Sequence, residues 1–169
     1  MSDTHLWWSR SPITRGEMAA FALEQGLDLV GDPPWTGGVR QSTWAADEAQ
    51  LTFAAHAPSG GGLVVVAAPR PELPEALCAR FDLASPEEVM AAAEAAEGRP
   101  AVIAGLYAVG ALLLATHREP VEEIAHLCRR LTDEDRHVRF GAARILRGWP
   151  RPEVVQAMEE AARSHPELR

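Results

Sequence analysis

Apolar and polar residues recur along this chain with two different periods, and the change falls near Ser85. Before it, the pattern mixes one helix with strands. Thr14 and Glu17 have the T-x-x-E spacing of a capping box, in which hydroxyl and carboxylate satisfy free backbone amides. The spacing predicts a helix through Met18, Phe21, Ala22 and Leu23, stopped at Gly26, because glycine takes the left-handed closing conformation cheaply. Leu27 to Val30 reads as a short strand, and the Pro/Gly-rich stretch 31–38 breaks regular structure. Val39 to Ala46 and Gln50 to Ala57 read as two strands joined through Asp47-Glu48-Ala49. In the second, Leu51, Phe53 and Ala55 alternate with Thr52, Ala54 and His56, as a sheet with one packed face requires. The continuous apolar run Leu63 to Ala68 is the expected central strand, and Glu75 to Phe81 a short helix. The expectation is one helix on a three- or four-stranded antiparallel meander.

Beyond residue 84 the pattern is helical throughout. Ser85-Pro86-Glu87-Glu88 combines an N-cap serine, a proline at the first helical position and a capping-box glutamate, with Gly98 as the stop. Further helices are predicted from Pro100 to Thr116, from Pro120 to Leu131, from a cap at Thr132 or Asp133 to Gly148, and from Pro150/Pro152 to Arg163. Their short connections imply antiparallel neighbours. The reading is therefore an α+β protein: residues 1–84 a small α+β domain, residues 85–169 a stack of helical hairpins.

The hairpins align with one another. Val102, Gly105 and Val109 match Val138, Gly141 and Ile145; Ile124, Leu127, Cys128 and Leu131 match Val154, Ala157, Met158 and Ala161; Leu168-Arg169 repeats Val138-Arg139. The period is roughly 30–36 residues, a solenoid signature. Each hairpin is too thin to bury its own apolar face, and stacking makes a continuous core. The stretch from Asp133 to Leu146 (DEDRHVRFGAARIL) resembles the start of a HEAT repeat: an acidic turn, Val-Arg, Ala-Ala and a leucine. The resemblance covers Arg99 to Arg169. It implies that Arg139 and the Asp133/Asp135 turn bond within and between repeats, and that the repeats hold protein partners. The first pair departs from the motif, with Ile103 where Arg139 aligns. Residues 1–84 have a looser resemblance to small α+β domains that precede HEAT-like repeats in bacterial proteins, some of them associated with toxin immunity.

Charge narrows the function classes. The net charge is -8, with 47% hydrophobic and 24% charged residues. A general nucleic-acid binder needs cationic surface to displace phosphate counterions, whereas an acidic surface suits a basic protein partner. All 16 basic residues are arginine, so a Schiff-base or P-loop lysine is excluded. Cys78 and Cys128 read as buried thiols of a reducing compartment. With no targeting signal, and an apolar run of only about 15 residues where spanning takes roughly 20, the expected location is the cytoplasm and no membrane is expected.

No catalytic constellation emerges. The serines lie in turns and caps, and Gly60-Gly61-Gly62 lacks the Gly-Lys-Ser/Thr ending of a P-loop and reads as a hairpin turn. The six histidines show no H-x-x-x-H pair, no C-x-x-C exists, and His126 and Cys128 point apart on a helix, so no metal or cofactor is expected. Four of five tryptophans, Trp7, Trp8, Trp35 and Trp44, fall in the first segment. They serve either its core or a binding hot spot. Trp35, in a Pro-Pro-Trp-Thr-Gly-Gly loop, is the one expected to be exposed, and Trp149 is expected to pack between repeats. Seven arginines lie between Arg129 and Arg151: Arg129, Arg130, Arg136, Arg139, Arg144, Arg147 and Arg151. They either pair with Asp133, Glu134 and Asp135 or grip an acidic peptide or phosphate. Glu122, Glu123, Glu153, Glu159 and Glu160 form an acidic face on the second helices. The partner-contact candidates are Trp35, Glu122, Glu123, Arg129, Arg130, Arg136, Arg139 and Glu159. The expected function is a non-enzymatic protein-binding module, in its sharper form an immunity or inhibitor protein against a basic toxin domain. The alternatives are a HEAT-scaffold accessory protein, a lyase- or chaperone-like factor, and a HEAT-like DNA-binding enzyme.

Overall fold

Strand alternation and helix caps place most elements where the pattern predicts. The computed structural model describes residues 3–33, 39–56, 61–69, 71–115 and 119–168. They form two compact units, Met1–Glu87 and Glu88–Arg169, in an α+β arrangement.

The first unit is a six-stranded antiparallel sheet. Its strands are β1 (Asp3–Ser9), β2 (Asp28–Gly31), β3 (Val39–Ala46), β4 (Ala49–His56), β5 (Gly62–Ala68) and β6 (Leu83–Ala84), in the order β2-β3-β4-β5-β1-β6. Two helices accompany it, α1 (Arg15–Glu24) and α2 (Glu72–Arg80), with α1 against β4 and α2 against β5. The predicted meander β2 to β5 is present, and β5 is interior. Two strands were not anticipated. β1, in a segment read only as polar and aromatic, pairs with β5 through Trp7↔Val64, and β6 pairs with β1 through Trp8↔Ala84. β1 escapes a periodicity reading because adjacent Trp7 and Trp8 both find cover. Trp7 packs on the main core with Met18, Phe21, Trp44, Phe53 and Val64, while Trp8, on the opposite face, is buried beside Gly61.

The Thr14 capping box forms as expected, with Glu17 N–H donating to the Thr14 hydroxyl at 3.1 Å and Thr14 N–H to the Glu17 carboxylate at 2.8 Å. Gly26 closes α1 at φ 72°, and Leu27 N–H reaches back to the Ala22 carbonyl at 2.9 Å, a Schellman closure. β3 and β4 turn over through Asp47 and Glu48 alone, with Asp47 at φ 50°. Helix α2 begins at Glu72, three residues earlier than predicted.

The second unit contains α3 (Pro86–Glu94, whose first two residues belong to the first unit), α4 (Arg99–Ala115), α5 (Val121–Arg130), α6 (Arg136–Leu146), α7 (Pro152–Ser164) and a 3-10 turn at Pro166–Leu168. Helix α4 packs on α5 and α6, α5 on α6 and α7, and the terminal turn on α6 and α7. Leu106, Val109, Leu112, Leu113, Ile124, Leu127, Val138, Leu146 and Val154 are buried. The cap of α6 is Asp135, not Thr132 or Asp133: its carboxylate accepts the His137 N–H at 2.8 Å. Asp133 instead accepts the Asp135 N–H at 3.0 Å, bracing the turn one step earlier.

Candidate functional site

The arginine-rich segment divides sharply once folded. Arg139 is only 8% exposed. Its guanidinium donates to the carbonyls of Asp133 at 2.8 Å and Glu134 at 3.0 Å, and pairs with Glu167 of the terminal turn. It therefore ties the turn before α6 to the end of the chain. As a partner contact Arg139 is corrected to an internal tie: a planar fork with several fixed acceptors is consumed where it stands. Arg130 donates to Asp133 at 3.2 Å and to the Ala93 carbonyl at 3.3 Å. Arg129 pairs with Glu94, which also meets the buried His126 ring at 2.9 Å. The hydrogen bond from His126, then the charges of His126 and Arg129, hold the Glu94 carboxyl below its ordinary range. Thus α5 grips the end of α3 through three side chains. Arg99 pairs with Asp135, and that bond, with the His137 amide, brings the Asp135 carboxyl down to about 2. Arg151 pairs with Glu119 at 3.0 Å and lies over the Trp149 ring. By contrast Arg136, Arg144 and Arg147 are exposed and make no ion pair among the described residues.

The acidic candidates divide too. Glu122 and Glu159 are exposed and form no ion pair among the described residues. Glu123 is 0% exposed and is corrected from a surface contact to an interior residue. Adjacent helical residues point about 100° apart, so Glu122 and Glu123 cannot share a face; Glu123 falls with Ile124 and Leu127 on the inward side of α5. Trp35 lies outside the described residues.

Sequence reasoning missed two features. Val121 and Val155 are 61% and 45% exposed on α5 and α7, beside Glu122 and Glu159. In the first unit a cleft of about 660 Å³ opens between the end of α1, the β3–β4 turn and the start of α2, with Leu27, Ala49 and Leu73 on its floor and Asp47, Glu48 and Glu72 among its lining. The signal for the valines was present as i, i+4 spacing, Val155 with Glu159; the cleft has no local signal, because three distant segments make it. Among the described residues no group of three or more His, Cys, Asp or Glu side chains is placed to hold a metal, and no helix is long and apolar enough to cross a membrane. No protein-family model, curated protein or solved structure matches this chain.

Proposed function

We propose that the chain is a non-enzymatic protein-binding module whose second unit, a HEAT-like stack of helical hairpins, presents the α5/α7 surface to a basic protein. The observation that carries the reading is that two helices that pack together each carry an exposed valine and a carboxylate with no ion pair among the described residues: Val121 and Glu122 on α5, Val155 and Glu159 on α7. Isolated exposed apolar residues are ordinary. Two of them on helices that pack together, each helix also carrying an exposed acid, supply the apolar and charged ingredients of a recognition surface. The stack itself is supported by translational correspondence. First helices pack on each other, α4 on α6, and second helices likewise, α5 on α7. The aligned glycines Gly105 and Gly141 each face the preceding neighbour, Ala93 of α3 and Leu106 of α4. The sharper form, an inhibitor of a basic toxin domain, rests on the resemblance of the first unit.

The test is titration calorimetry of the full chain against purified basic domains encoded beside it. Glu122→Arg/Glu159→Arg is expected to weaken a binding partner at least tenfold, since like charges facing across an interface cost several kcal/mol, with the melting temperature unchanged. A partner bound equally by the doubly reversed chain would refute this surface.

A further inference from the structure

The three unabsorbed arginines are not scattered. On a helix advancing 100° per residue, Arg136, Phe140, Arg144 and Arg147 fall within about 80° of arc. All four are exposed, Phe140 at 40%, with the Arg136 guanidinium 6.0 Å from the Phe140 ring centroid. His137, also exposed, borders the stripe, its ring 3.2 Å from the Asp135 carboxylate. The outer face of α6 is thus a cationic stripe centred on an aromatic ring, in a chain whose net charge is -8.

Local stability accounts for only part of this arrangement. Arg136 occupies the first helical position, where the macrodipole disfavours a cation. Arg144 in the last turn and Arg147 at the C-cap suit the macrodipole, although three apart they repel each other mildly. Phe140 leaves part of its ring in water. The four other arginines of the segment each found an internal acceptor; these three did not, although acidic residues outnumber basic ones by 24 to 16. An exposed cationic stripe with no carboxylate partner among the described residues marks a surface open to something outside it.

We propose that the outer face of α6 docks an acidic peptide segment of another protein, with carboxylates on Arg136, Arg144 and Arg147 and an apolar side chain on Phe140. Arginine forks bind carboxylates in pairs, and the stripe is about 17 Å long at 1.5 Å per residue, enough for five or six extended residues. The partner is a peptide and not a duplex: three cations on one helix release few phosphate counterions, and the acidic remainder of the molecule opposes a polyanion at long range. This surface is separate from the α5/α7 face, and the two proposals stand or fall independently.

The probe is a fluorescein-labelled octapeptide, Glu-Glu-Leu-Glu-Glu-Leu-Glu-Glu, titrated with the full chain by fluorescence anisotropy in 50 mM salt, beside a labelled 20-base-pair duplex. Saturable peptide binding is expected. Arg144→Glu/Arg147→Glu should weaken it at least tenfold and Phe140→Ala about three- to tenfold, while Glu122→Arg/Glu159→Arg leaves it unchanged. Melting curves of these surface variants should match the parent. No saturable peptide binding, or binding indifferent to Arg144→Glu/Arg147→Glu, overturns the proposal. So does tighter binding of the duplex lost in the same variant, which would make the stripe a nucleic-acid contact. Self-association abolished by that variant would equally overturn it, identifying a second copy of the chain as the occupant.

Discussion

In the sheet unit, a β-carbon added to Gly61 or Gly62 would stand 2.3 Å from the ring of Trp8 or Phe53 respectively. In the helical unit, one added to Gly141 would meet only the terminal methyl of Leu106, at 3.3 Å, and one at Gly105 would meet Ala93 at 3.2 Å. The same residue type thus answers two different demands. Between strands, glycine makes room for the rigid aromatic rings of Trp8 and Phe53. Between helices, it lets backbones approach where the core is made of alanine and leucine. A second contrast runs alongside. The sheet unit carries a compact charge cluster, in which Asp32 takes Arg15 at 2.7 Å and Arg40 at 3.2 Å, and an exposed Arg10–Asp82 pair at 3.0 Å. In the helical unit three ion pairs join elements two apart in the chain: Arg99 to Asp135, Arg129 to Glu94, Arg139 to Glu167.

Four experiments break or sharpen that comparison. The largest effect belongs to core deletion. Phe53→Ala is expected to cost about 3–5 kcal/mol and Leu106→Ala about 2–5. The first should lower the urea midpoint read by tryptophan fluorescence, the second the midpoint read by far-UV ellipticity; coincident shifts in both variants would make the molecule one cooperative body. Arg139→Ala comes next, at about 2–3 kcal/mol, because it strips charged hydrogen bonds from a nearly buried site. Arg139→Lys should recover only part of that, since one ammonium cannot reach the Asp133 and Glu134 carbonyls and Glu167 together. Gly62→Ala should then cost about 1–3 kcal/mol by overpacking against Phe53. Gly141→Ala should change stability by less than about 1 kcal/mol, because a flexible methyl yields and alanine favours the helix. Equal penalties at the two glycines would erase the distinction.

Acid should have the smallest effect. Hydrogen bonds from Ser42 and Arg40 take the Asp32 carboxyl from 3.8 to about 2, and Arg99 does the same for Asp135. Both pKa values are depressed on folding, so their contribution is complete above pH 4 and disappears as the pH falls through 2. Asp32→Asn and Asp135→Asn should each lower the melting temperature at pH 7, and the gap from the parent should close near pH 2. These groups are partly solvated, so the gap should also shrink in high salt.

Legibility in the sequence followed how local each signal was. The Thr14–Glu17 cap, the alternation of Leu51 and Phe53, and the Gly26 stop are decided by residues within one turn or one pleat, and all were read correctly. β1 was missed because it is interior, and a strand with cover on both sides shows no alternation between Trp7 and Trp8. β6, two residues long, has no period at all. Within the candidate site, the Val-Arg motif pointed to an internal role for Arg139, which the structure bears out in its bonds to the Asp133–Glu134 turn. What the linear pattern could not separate was Glu122 from Glu123, or Arg129 from Arg144. Each pair looks alike in composition, and only the tertiary environment decides which member meets solvent.

The position of β1 bears on how the chain comes off the ribosome. β1 leaves the exit tunnel well before the two strands it lies between, β5 and β6. Until Val64 and its neighbours are translated, Trp7 and Trp8 have no strand to join, and β2 to β4 can zip together without them. Closure of the sheet is consequently a late, long-range event in synthesis, with Trp7 and Trp8 waiting for the strands that cover them.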